Sequence, residues 1–339
     1  MEKFPEIRTV GNASPKVKEQ IKKEYEELFY LSETKEKSEK ELAIINFVNK
    51  ETNELMQEVG FIPYNIPENN YIFLESNIYK EIKEDKNPAA ALVDSQKIIF
   101  NKEVYSNNPI LFGVAAMHET MHLKGHISVE INEKNGNIKD TIYRDGFSVV
   151  SAQKHRKLDE YNNGFHQHFV GLEDAIVSTV EKKAFSKIIE LPILYKEKEW
   201  LTSLEATILK EQDAEKYNIP EDEIMWIKKK EGGLIETSFF SYYAQRQVLN
   251  YVCAEIQKEF PDQYQTSDDV FKEFLKAQFT GQLLSTARLI EKTFGKGSFR
   301  TLGDMTADKE KTLMILEKLT TARLKQTEDK KIKSLNLFA

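Results

Sequence analysis

The sequence predicts an α+β fold, predominantly helical, and three observations carry that prediction. Apolar residues recur at helical spacing over most of the chain before residue 60 and after residue 170. Between residues 61 and 109 the pattern changes to short β-branched and aromatic runs broken by Pro and Asn, the mark of a small sheet. At 339 residues the chain is long enough to bury a substantial core. The changes of pattern divide it into an N-terminal helical unit (1–60), a mixed core (61–182) and a C-terminal helical lobe (183–339).

Composition narrows the classes of function. The chain is 40% hydrophobic and 30% charged, with both signs mixed, which fits a globular protein with highly charged helix faces. A net charge of −7 argues against nucleic acid as a generic partner. No apolar run approaches the roughly 18 residues that a membrane span needs, and no basic start precedes an apolar core, so a cytoplasmic location is expected. The single cysteine, Cys253, excludes an internal disulfide framework; in an apolar helical pattern it reads as a packing residue.

In the N-terminal unit, Ser14-Pro15 opens one helix and Ser38 with Glu41 forms a capping-box signature for a second. Val48, Thr52, Leu55 and Val59 carry the second helix to Gly60. Residues 71–74, 91–94 and 97–101 then read as strands. The next helix is defined at both ends: Asn108 suits the N-cap, Pro109 the first helical position and Gly125 the stop. Leu111, Val114, Ala115 and Met121 give it an apolar stripe. Residues 130–140 read as a polar segment turning at Asn135-Gly136-Asn137, 141–150 as a strand, 153–160 as a charged connection and 161–170 as the partner strand. Helices are expected from about 171 to 190, and over 201–216, 220–230, 238–260, 267–294 and 308–323, before a charged, loose tail.

The helix that begins at Pro109 contains His118-Glu119-Thr120-Met121-His122, an H-E-x-x-H pattern. Four residues apart, the two imidazoles share one face a single turn from each other and can hold one Zn²⁺, leaving room for a third protein ligand and a water. Glu119 lies to the side of the pair, where it can act as general base on that water. The stretch resembles the zincin metallopeptidases. Metzincins continue as H-E-x-x-H-x-x-G-x-x-H; Gly125 matches their glycine, but Ser128 stands where their third histidine would be. His126 reads as a solvent-facing residue at the helix end. The other branch, the gluzincins of the thermolysin type, takes its third ligand from a downstream helix, and residues 171–178 resemble that helix. Alignment on Ala175-Ile176 places Asp174 at the ligand position, whereas Glu173 is the residue type the family uses and has apolar helical neighbours in Ile176, Val177 and Val180. Both stay open, with a lean to Glu173, since a carboxylate on a buried stripe is costly unless paired or metal-bound. Asp174 shares its face with Ser178 and Glu181, either the lining of a cleft or a solvated side.

The resemblance implies a zincin-like lobe, with a small sheet before the active-site helix and an edge strand that pairs with an extended substrate. Residues 97–101 stand in that place, which makes Ile98, Ile99 and Phe100 the substrate-binding candidates. The segment between the two helices carries Tyr143, Arg144, His155, His166 and His168; Arg144 and His168 are the candidate oxyanion donors there. Gluzincins also bring a Tyr or His from the C-terminal lobe, and Tyr243 is the candidate. The expected activity is zinc-dependent hydrolysis of peptide bonds in a peptide or protein substrate. Two other classes remain: a catalytically inactive zincin-like module that binds metal or peptide, and a helical interaction protein in which H-E-x-x-H is accidental.

Overall fold

The computed structural model describes residues 7–30, 36–83, 87–134, 136–152 and 165–336. The chain opens with strand β1 (Arg8–Val10) and helices α1 (Pro15–Tyr30) and α2 (Glu39–Glu58). Helix α2 starts on the expected capping box: the Ser38 hydroxyl accepts from the Glu41 N–H, and the Glu41 carboxylate accepts from the Ser38 N–H. Strand β2 (Tyr71–Leu74), helix α3 (Ser76–Ile82), strands β3 (Ala89–Leu92) and β4 (Lys97–Asn101), short helix α4 (Lys102–Tyr105) and helix α5 (Pro109–Leu123) follow. Asn108 caps α5 by accepting from the Leu111 N–H, with Pro109 just inside it.

The small sheet runs β2-β4-β3. β4 is therefore its central strand, and Ile98, Ile99 and Phe100 are at most 2% exposed. This corrects the expectation that 97–101 is a substrate-pairing edge. Two alternating hydrophobic faces suit a strand covered on both sides, and the sheet's two edges are β2 and β3, the latter built of small alanines that give little sequence signal.

Beyond α5, residues 130–140 are not a polar loop. Strands β5 (Ile127–Lys134) and β6 (Asn137–Asp145) form a long antiparallel hairpin through them, continued by β7 (Ser148–Ala152) and β8 (Phe165–His168). β1 pairs in parallel with β5 and completes a five-stranded sheet in the order β1-β5-β6-β7-β8. The strand expected over 141–150 is broken at Gly146, whose φ of +50° turns β6 into β7. The charged connection 153–160, His155 and the His166 side chain lie outside the described residues.

Helix α6 (Val170–Ile188) packs along α5. Helices α7 (Tyr195–Leu201) and α8 (Leu204–Tyr217) lead to a hairpin of β9 (Ile224–Lys229) and β10 (Ile235–Phe239), then α9 (Tyr243–Glu259), α10 (Ser267–Thr280), α11 (Leu283–Phe294), α12 (Ser298–Gly303) and α13 (Lys309–Asn336). The helix expected over 220–230 is thus a strand: Ile224, Met225, Trp226 and Ile227 are all buried, and a short apolar run carries no period that separates a buried strand from a helix. The helix expected over 267–294 breaks at Gly281, whose φ of +71° ends α10 and whose Cα meets the His126 ring so closely that a Cβ would clash. The charged tail continues as helix to Asn336. One main core runs from Ile44 on α2 through α5 and α6 to Leu319 on α13, and includes Cys253. No described helix is long and apolar enough to cross a membrane.

Candidate metal centre

Helix α5 is buried on nearly all sides, which is why its few polar residues must be satisfied from neighbouring elements. His118 and His122 project from one face, and their Nε2 atoms lie 3.2 Å apart. The outer nitrogen of each ring is held by a carboxylate from α6: His118 Nδ1 lies 2.6 Å from Glu181 Oε2, and His122 Nδ1 3.2 Å from Glu173 Oε1. A proton shared on each outer nitrogen leaves two Nε2 lone pairs facing each other, an arrangement that favours a cation between them. Two nitrogens on one tetrahedral zinc, at about 2.0–2.1 Å each, stand roughly 3.3 Å apart, so the observed spacing fits.

The third group is Asp174. Its Oδ1 lies 3.6 Å from His122 Nε2, and ligand atoms of His118, His122 and Asp174 all fall within 4.8 Å of one another. Glu173, favoured by sequence for this position, instead occupies the far side of the His122 ring. There it also accepts from the Ser148 N–H at 2.9 Å and from Gln278 Nε2 at 3.1 Å. Adjacent helical residues point about 100° apart, so the α5–α6 packing angle decides which of the pair meets the inner nitrogens. Asp174, Ser178 and Glu181 do share one face, and all three are buried: it lines the centre and is not a solvated side.

The electrostatics agree with a cation-holding site. Burial alone would lower both histidines, but the Glu181 carboxylate holds His118 above its ordinary value, and Glu173 carries His122 up to about 10. Burial would raise Glu173, yet hydrogen bonds from His122, Ser148 and Gln278 bring it below the usual range. Asp174 is pushed up to about 6 by burial, against the pull of His122 and His118. This packing requires glycine at position 146, where a Cβ would fall 2.2 Å from Gln278 Nε2 and 2.5 Å from Glu173 Oε1.

Glu119 stands beside the pair and accepts from the Ala91 N–H at 2.7 Å. Residues of β3 alternate in the direction of their N–H groups, and Ala91 turns its own away from β4. Because that N–H makes no ladder bond, Ala91→Pro is expected to leave the sheet intact while freeing the Glu119 carboxylate. Unchanged circular dichroism would bear this out; an unfolded variant would refute it.

Tyr242, not Tyr243, comes to the centre. Its ring stacks on His118 with centroids 5.9 Å apart, and its hydroxyl is close enough to the Asp174 carboxylate to feel its charge. Burial, with Asp174, Glu119 and Glu181 nearby, holds the phenol well above its ordinary value, so it stays a donor. The site lies at the N-terminus of α9, where Tyr242 adopts a left-handed φ of 58°. Ser241 O accepts from Ser178 Oγ at 2.7 Å and Arg246 Nε at 3.1 Å, which pins this turn. Tyr243 lies one residue on, with its ring against Arg246.

The remaining sequence candidates are elsewhere. His168 Nδ1 lies 3.8 Å from Asp304 Oδ1. Arg144 gives its Nε–H to Gly146 O at 3.3 Å. His126 is not solvent-facing: its Nε2 lies 2.9 Å from Ser128 Oγ, and burial together with Arg144 and Arg8 lowers it to about 4. Gln278, Ser148 and Tyr242 carried no motif in the sequence. Comparison with protein-family models, with curated proteins and with solved structures finds no match.

Proposed function

We propose that this protein is a zinc-dependent peptidase. The observation that carries the reading is the paired Nε2 atoms at 3.2 Å, each ring fixed from behind by a carboxylate, with Asp174 beside them. His118, His122 and Asp174 would hold the ion, which when bound supplies a Lewis acid for water and for the scissile carbonyl. Glu173 and Glu181 orient the imidazoles and raise their basicity. Glu119 takes the proton of the attacking water and passes it to the leaving amine, held in position by the Ala91 N–H. Apart from the Ala91 N–H that holds Glu119, the outer edge of β3 offers main-chain pairing to an extended peptide.

Tyr242 donates its hydroxyl to the oxyanion that develops on the carbonyl. Tyr242→Phe is expected to keep the metal and lower kcat by about 10²-fold with little change in KM; an unchanged kcat would remove Tyr242 from this role.

Metal removal tests the reading as a whole. The zinc-loaded protein is expected to cleave members of a quenched peptide library, to stop when the ion is stripped with 1,10-phenanthroline, and to recover when zinc is returned. Protein that retains no zinc after incubation and dialysis would overturn it.

A further inference from the structure

We propose that Gln278, on helix α10 of the C-terminal lobe, is a positioning residue of the metal centre: acting through Glu173, it keeps a proton on His122 Nδ1 and so reserves Nε2 of that ring for the ion. The inference rests on the zinc reading above and deepens it.

Donor and acceptor roles along this chain of contacts leave one arrangement. Gln278 is 0% exposed, so both ends of its amide are satisfied inside the protein. The Phe147 N–H, which can only donate, points at Gln278 Oε1 at 2.9 Å. The NH2 end of the amide therefore faces Glu173 Oε1, at 3.1 Å. A flipped amide would set donor against donor at Phe147 and acceptor against acceptor at Glu173. The second carboxylate oxygen, Oε2, meets another donor-only group, the Ser148 N–H, at 2.9 Å. Glu173 is thereby an acceptor at both oxygens, and His122 Nδ1, which shares Oε1 at 3.2 Å, faces it as N–H. Nε2, opposite the His118 ring, is the nitrogen left for the metal.

The same residue ties the surrounding backbone together. Gln278 O accepts from the His126 N–H at 2.9 Å, just past the end of α5, and His126 O accepts from the Gly146 N–H at 2.8 Å. The end of α5, the turn from β6 to β7 and the start of α6 thus meet at one glutamine. Its amide has no room to swing away, since a Cβ at Gly125 or Gly146 would fall 3.1 or 2.2 Å from Nε2. The bonds to Phe147 and Glu173 span 131 and 105 residues, which is why no motif marks Gln278.

Zinc binding, not turnover, is the decisive readout. Gln278→Met keeps much of the volume and removes the donor to Glu173. It is expected to weaken zinc binding by about tenfold, the lower end of what the loss of an outer partner costs. Because Gln278 acts through Glu173, the same substitution in a Glu173→Ala background is expected to change zinc affinity by less than about twofold. Competition against a zinc-chelating dye measures the wild type, both single variants and the double variant. Equal losses in the two backgrounds would make Gln278 a packing residue only, and unchanged affinity in Gln278→Met would separate it from the centre; either result overturns the proposal. Should Gln278→Met fail to fold, Gln278→Asn, whose amide is one carbon too short to reach Glu173, takes its place. Nitrogen NMR of the cadmium-loaded protein adds a readout that packing alone would not move. The wild type is expected to show cadmium coupled to His122 Nε2 and a slowly exchanging proton on Nδ1, with faster exchange in the position-278 variant. Cadmium on Nδ1, or an Nδ1 without a proton, would overturn the proposal and leave the zinc reading standing. Protein that binds neither ion would overturn both.

Discussion

Replacing Glu119 by glutamine is expected to lower peptide hydrolysis by about 10²–10⁴-fold, the usual contribution of a positioned general base. The amide retains the shape of the side chain and can still accept from the Ala91 N–H, so the fold and the neighbouring histidines should be undisturbed. The proposed reading therefore requires that bound zinc stay near one equivalent while turnover falls. Elemental mass spectrometry beside a quenched-peptide assay separates the two quantities. Glu119→Gln that cleaves at the wild-type rate would show that the base lies elsewhere; loss of zinc from the same variant would make Glu119 part of the metal-holding set.

The second large effect concerns the adjacent carboxylates on α6. Asp174→Ala is expected to abolish stoichiometric zinc binding, because it removes the acidic group nearest the inner nitrogens. Glu173→Ala should act differently. It leaves the three inner groups in place and removes the acceptor behind His122, a change that typically weakens metal affinity by about 10–100-fold without eliminating it. It also strips partners from the Ser148 N–H and Gln278 Nε2, so a loss of thermal stability should accompany the weaker binding. Zinc titration of both variants at fixed pH tests the assignment: near-normal binding by Asp174→Ala, with complete loss in Glu173→Ala, would reverse it.

Local order was legible in the sequence wherever local chemistry determines it. Asn108, Pro109 and the Ser38–Glu41 capping box define helix starts because a cap is satisfied within its own turn. The four-residue spacing of His118 and His122 puts the rings on one face because helix geometry allows nothing else. Glu119 follows from the same helix.

The rest depended on how elements meet. Glu173 and Asp174 differ by one helical step, and only the packing of α6 along α5 turns Asp174 toward the inner nitrogens and Glu173 toward the outer one. Tyr242 and Tyr243 are likewise neighbours, and the left-handed turn pinned at Ser241 selects between them. β4 reads as strongly as any strand, yet its neighbours on both sides leave the edges to β2 and to the alanines of β3. Side-chain pattern records burial and periodicity; it does not record which partner lies across an interface, and that is what assembles this centre.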